Sequence, residues 1–237
     1  MIAQPVLKTQ HNGHELLYAI SNDHCAWRVK TLETKEADTV AWISSMKAGE
    51  VFVDVGANIG IYSVLAAKYG CKVYAFEPEA ENYVLLCRSI LFNDDVDITA
   101  YCVALSNETR PDYLYLSAHM AGGSCHTVGE NIDHRLTARQ HEIKQGCMMM
   151  RLDDFRIRAD HLKIDVDGLE HKVISGAEKT LENCKSVLLE INQNLEDHRN
   201  LCEWMRELGF HYDPAQVEKA TRKEGTFKDC GNWIFYR

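Results

Sequence analysis

The chain has 237 residues, 46% of them hydrophobic and 26% charged, with 26 basic against 35 acidic side chains for a formal net charge of −9. That length suits one large domain with a sheet covered on both faces, and the acidic balance argues against nucleic acid and anionic membranes as partners. The apolar stretches are strand-length, so no membrane span is expected, and MIAQPVLKTQ has no apolar segment behind a basic start, so no secretory signal is read.

From the N-terminus, residues 15–20 and 26–32 read as short strands joined by Ser21-Asn22-Asp23. Residues 34–46 read as a helix with Val40, Ile43 and Met46 on one face and Gly49 closing it. Residues 1–48 are thus expected as an extension packed on a single domain at 49–237, the helix lying where a lid over a cofactor would.

Residues 51–60, V-F-V-D-V-G-A-N-I-G, are a buried strand entering a tight glycine turn, followed by a helix over 61–69. A second apolar run, 71–76, ends on Glu77. A strand, a glycine turn, a helix and a second strand tipped with an acid form a nucleoside site, the carboxylate accepting from the ribose hydroxyls. A dinucleotide site needs G-x-G-x-x-G; counted from Gly56, the later positions are Asn58 and Ile61, so a nicotinamide cofactor is disfavoured. The D-x-G-x-N-x-G pattern resembles motif I of S-adenosylmethionine-dependent methyltransferases.

Further on, 79–91 reads as a helix and 97–103 as a strand. Residues 105–145 are polar and irregular, and are expected either to shape a substrate pocket or to form a surface loop. Strands are expected at 147–152 and 161–165, a helix at 168–183, a strand at 186–192, an amphipathic helix at 198–208 and a strand at 232–236. This alternation predicts an α/β fold around a mostly parallel sheet. The closing strands, with no room for a helix between them, suggest a terminal antiparallel hairpin.

The most charged strand end is K-I-D-V-D-G-L-E-H at 163–171. Asp165 and Asp167 are expected in the crevice beyond the carboxyl ends of the strands, where two adjacent acids favour a proton, a cation or a sulfonium. Asp167 and Glu170 also suit a helix start, whereas Asp165 ends an apolar strand and is harder to explain structurally. Glu190, near the end of another apolar strand, is expected either to face the same crevice or to pair with a basic residue.

Nine scattered cysteines without C-x-x-C fit free thiols in a reducing cytoplasm. Eleven histidines include no H-x-x-x-H or H-E-x-x-H spacing, and no metal ligand is assigned.

With these blocks in hand, the chain resembles the FkbM-type methyltransferase family. The resemblance rests on T-L-E-T-K-E (31–36), V-F-V-D-V-G-A-N-I-G (51–60), A-F-E-P (75–78), V-A-L-S-N (103–107), R-L-D-D-F (151–155), L-K-I-D-V-D-G-L-E (162–170) and V-L-L-E-I (187–191). It implies a class I methyltransferase fold, a seven-stranded sheet with its last strand antiparallel, and S-adenosylmethionine as cofactor. By match, Gly56, Asn58 and Gly60 would wrap the methionine portion, Glu77 would hold the ribose and Ala104-Leu105 would border the adenine. Asp54 and Asp165 complete the expected cofactor set. One departure is Asp167, where many relatives carry Glu.

The family mostly methylates hydroxyls, commonly on sugars of glycans or glycosylated metabolites, so a small-molecule or glycan acceptor is expected. An aliphatic hydroxyl needs a general base as the bond forms, and Asp165 and Asp167 are the first candidates, with Glu190 and His171 behind them. The rival readings are a metal-assisted diol methyltransferase and a non-catalytic interaction module acting through the Trp204 helix face. A nucleic-acid methyltransferase is disfavoured by charge and by the lack of an N-P-P-Y-like motif. Oligomeric state is left open, a homodimer included.

Overall fold

A computed structural model describes residues 4–237. Strands β1 (Val6–His11) and β2 (His14–Ala19) pair antiparallel around Asn12-Gly13, both at positive φ, as a tight hairpin turn requires. The strand expected at 26–32 is instead helix α1 (Asp23–Lys30). Asn22 caps it, accepting from the Cys25 amide at 2.9 Å, and Cys25 and Val29, four residues apart, face the core. The cap and the i,i+4 spacing outweigh the strand-like composition.

The expected lead-in helix is split into α2 (Leu32–Lys35) and α3 (Ala37–Ser44) at Glu36, which leaves helical geometry (φ −139°, ψ 59°). Strand and helix then alternate through β3 (Val51–Val55), α4 (Ile61–Lys68), β4 (Lys72–Phe76), α5 (Ala80–Phe92) and β5 (Asp97–Tyr101). The segment expected to be irregular is mostly loop, as expected, but it also carries strands of a second sheet. Strands β6 (Ala104–Leu105), β7 (Arg110–Tyr115), β8 (Thr127–Val128) and β9 (Lys144–Met150) line up as β6-β9-β7-β8.

The chain continues through β10 (His161–Ile164), α6 (Glu170–Ser175), α7 (Glu178–Leu181), β11 (Ser186–Asn192), α8 (Glu196–Glu207), β12 (His211–Tyr212), α9 (Pro214–Ala220) and β13 (Cys230–Tyr236). The single helix expected over 168–183 breaks at Gly176, where a β-carbon would strike the main-chain oxygen of Ser106. The expectation of no helix between the closing strands is also overturned. Helix α9 sits there, capped by Asp213, with Pro214 in the first turn where its missing N–H costs nothing.

The main sheet has seven strands in the order β12-β13-β11-β10-β3-β4-β5. Strands β11, β10, β3, β4 and β5 run parallel, and β13 pairs antiparallel with both β11 and β12. Apolar clusters cover both faces, and β3 shows why. Phe52 packs with Ile43 and Leu65 on one side, while Val53 and Val55 pack with Leu162 and Val187 on the other. A central parallel strand buried on both faces needs a mostly apolar run, and its one charged residue, Asp54, is buried against Lys163. Chain order reverses beside β3, which lies between β4 and β10, so the crevice at their carboxyl ends is the place for a ligand.

Candidate active site

The turn after β3 is held by the Gly56 and Ala57 amides, which donate to the Phe76 carbonyl at 2.9 and 3.0 Å. Gly56 is at φ +78°, and a β-carbon there would run into the main-chain oxygen of Asp165. No other residue permits that approach of β3 and β10. The Asn58 and Glu79 amides donate to the two oxygens of Glu77 at 2.8 and 2.9 Å, which aims the carboxylate while leaving lone pairs free. Burial raises the Glu77 pKa to about 7 against the pull of those amides.

Between Glu77, Asn58, Ala104 and Asp165 lies a cavity of about 720 Å³, open at its mouth. Phe76, Leu105 and Leu114 line it as apolar walls suited to a flat ring system. Its roof comes from the insertion. Asn82 accepts from the Gly122 amide (2.6 Å), Asn58 donates to the Gly123 oxygen (2.6 Å) and Asn22 donates to the Ala121 oxygen (2.9 Å). Arg28 donates through Nε to the Gly122 oxygen at 2.5 Å. The 121–123 strap is therefore pinned over the cavity by side chains from α1, α5 and the glycine turn. His126 also lines the cavity; its Nδ1 accepts from the Ser117 amide at 3.1 Å, which puts the ring proton on Nε2, a buried atom with no partner among the described residues. Burial takes this imidazole's pKa down to about 4, so it is a neutral donor.

The acids meet at the opposite end, where carboxylate oxygens of Asp165, Asp167 and Glu190 lie within 4.8 Å of one another. Their environments differ. Burial opposes charge on Asp165, but Lys163 Nζ, 3.3 Å from its Oδ2, holds its pKa below the usual carboxylate range. Lys163 is itself buried and stays cationic because Asp165 and Asp54 face it. Asp167 has no such cation. Burial first, then Asp165 and Glu170, push its pKa up to about 7, while its Oδ2 accepts from the Cys125 amide at 2.6 Å. Glu190 pairs with Arg222 at 3.0 Å and also faces the cluster, so both expected alternatives hold; burial and the neighbouring acids raise its pKa.

The loop carrying these acids is set by Glu170. Its carboxylate accepts from the Val166 and Gly168 amides at 2.9 and 3.1 Å and meets His198 Nε2 at 3.0 Å. That bracing places Asp167 at φ +60°. Aspartate tolerates this left-handed geometry better than a longer side chain.

Four expected residues stand outside the cavity lining, Glu190 with its Arg222 pair being one. Asp54 is buried behind the turn, accepting from Ser63 Oγ at 2.6 Å and facing Lys163. Gly60, at φ +89°, caps α4 and lies against Leu86. His171 turns to Asp197 on α8 at 3.7 Å. Arg28, Asn82 and His126 were not anticipated. Lys163 carried a readable signal, a lone cation inside an apolar strand; the other three gain meaning only from long-range contacts.

The family described as the methyltransferase FkbM domain matches residues 54–212. The chain belongs to the FkbM methyltransferase family. Its sheet order is that of the class I methyltransferase fold, whose cofactor is S-adenosylmethionine. A methyltransferase, sdnD of Sordaria araneosa, is 27% identical over 202 residues, covering 73% of this chain and 77% of that protein. A tRNA (guanine(37)-N(1))-methyltransferase of Entamoeba histolytica is 28% identical over 112 residues, covering 44% of this chain and only 28% of that protein. Among solved structures, the magnesium protoporphyrin IX methyltransferase of Synechocystis PCC 6803 with bound S-adenosylmethionine superposes with a TM-score of 0.52 at 12% identity, covering 92% of this chain and 86% of that one. These are likenesses of fold and family.

Proposed function

We propose that this FkbM-family methyltransferase transfers the methyl group of S-adenosylmethionine to a hydroxyl of a polyhydroxylated acceptor, a sugar being the class that fits best. The carrying observation is that Asp165 and Asp167 line the cofactor cavity and converge with Glu190, which stands outside the lining, within 4.8 Å.

The residues fit the cofactor. Glu77 offers acceptors for a ribose diol, and the His126 Nε2 proton is a buried donor without a partner. Asp165, held ionised by Lys163, suits the cationic groups of the methionine portion. When bound, S-adenosylmethionine supplies a methyl group already activated by its positive sulfur. The protein's remaining task is to orient the acceptor oxygen and remove its proton. Asp167 suits that role: its carboxylate is ionised at mildly alkaline pH yet basic enough to accept a proton. Asp165, held ionised by Lys163, supplies fixed negative charge instead. Asp167 would accept the hydroxyl proton as the oxygen takes the methyl group supplied by the bound cofactor, with S-adenosylhomocysteine as the other product.

The acceptor's approach supports a sugar. Behind the glycine turn, a hollow bounded by Lys35, Glu36 and Asp165 adjoins a cleft of about 720 Å³ between α3 and α9, the two sharing Lys35 and Glu36. Asp38, Thr39, Arg222 and Asn232 line that cleft, alternating donors and acceptors as a polyol requires. An RNA acceptor, as in the Entamoeba protein, would require many phosphates to be neutralised by a chain of net charge −9. Nine free cysteines fit a reducing compartment such as the cytoplasm, and no helix among the described residues is long and apolar enough to cross a membrane.

The test is transfer of tritium from methyl-labelled S-adenosylmethionine to a panel of methyl glycosides, with catechol and a tRNA transcript in parallel. Label on a glycoside as a methyl ether is the expected result. Label on catechol or tRNA alone would defeat the proposal.

A further inference from the structure

We infer that Arg28 receives the α-carboxylate of the cofactor's methionine, an assignment that rests on S-adenosylmethionine as the ligand of this cavity. Arg28 stands on α1, outside the residues that match the family, 54–212. It nevertheless lines both the cofactor cavity and the hollow behind the glycine turn, in company with Gly56, Asn58 and Asp165. Its Nε is engaged by the Gly122 oxygen at 2.5 Å, which orients the guanidinium and leaves the two Nη groups unspent. Among the described residues it forms no ion pair, while the cavity acid Asp165 is already engaged by Lys163 at 3.3 Å.

A half-buried guanidinium that forms no ion pair among the described residues carries a desolvation cost that an arriving carboxylate offsets; the nearby Asp165 acts on it by charge alone, its carboxylate being engaged by Lys163. The ligand's charges match this layout. S-adenosylmethionine carries one carboxylate, one ammonium and one sulfonium; the cavity presents Arg28 with free Nη groups and, in the same lining, the ionised Asp165. Asp165 serves the cationic groups, and the anion is left to Arg28. The roof contact to Gly122 links this recognition to the strap, so the bond that orients Arg28 also helps hold the strap in place.

The experiment measures, by calorimetry on the full chain, binding of S-adenosylmethionine and of decarboxylated S-adenosylmethionine, which lacks only the carboxylate. The parent should prefer the intact cofactor by about tenfold or more, as a charge-assisted pair predicts. Arg28→Gln, neutral but still able to donate to Gly122, should shrink that preference to within about twofold, and Arg28→Lys should keep most of it. A purely structural Arg28 would weaken both ligands by one factor and leave the preference intact in Arg28→Gln. That outcome, or no preference in the parent, overturns the assignment. Failure of the folded parent to bind either ligand would overturn the cofactor reading itself, and this assignment with it.

Discussion

Gly56 lies against the main-chain oxygen of Asp165, so closely that the missing side chain is what lets the turn after β3 meet the end of β10. The nucleoside half of the site and its acidic half touch at this point. Gly56→Ala must both adopt φ +78° and displace that oxygen. We expect a loss of about 2–4 kcal/mol in unfolding free energy and loss of S-adenosylhomocysteine binding. Urea denaturation and calorimetry check this; an unchanged midpoint would show that β10 can move aside.

Asp167→Asn should keep the backbone, since Asn tolerates φ +60° and its oxygen can still accept from the Cys125 amide. Turnover should fall by about 10²- to 10⁴-fold, the usual worth of a general base, with cofactor affinity within a few-fold. Asp165→Asn should instead weaken the cofactor as well, because Lys163 then loses a counter-charge. Full turnover in Asp167→Asn would move the base elsewhere, Glu190 being next.

The pH profile follows from the same group. Asp167 is raised to about 7, chiefly by burial and then by Asp165 and Glu170. Turnover should rise through pH 7, because only the ionised form accepts a proton. Stability should run the opposite way. Between the ordinary aspartate range and pH 7 the folded state binds more protons than the unfolded, so stability falls as pH rises across that window. Asp167→Asn should therefore flatten part of that fall, which thermal melts from pH 4 to 8 would register.

Removal of divalent metal separates this base mechanism from a metal-assisted one. The three acids have a spacing that would admit a cation, yet Glu190 is paired with Arg222 and Asp165 with Lys163. We expect full activity after dialysis against chelator. Loss of activity restored by magnesium would replace proton transfer to Asp167 with metal coordination of a diol.

Local pattern was enough for the parts of this protein whose physics is local. A glycine turn requires Gly at Gly56, a nucleoside site requires an acid at the tip of the next strand, and a buried strand requires an apolar run, so β3, β4, β11 and Glu77 were all legible. Where the sequence reading failed, at α1, at the Glu36 break and at α9, a cap or a distant partner outweighed composition. The site divides the same way. Asp165 and Asp167 could be named from their strand end, but their unlike pKa values depend on which of them faces Lys163, and on burial and the Cys125 amide supplied from elsewhere in the chain. Arg28, Asn82 and His126 carry no signal in their own neighbourhoods, because each derives its role from the 121–123 strap. Sequence alone determined the fold class and the family, which rest on short-range spacing. Only the tertiary structure decided which acid is poised as a base and what roofs the cavity, because electrostatics and closure depend on distances between residues far apart in the chain.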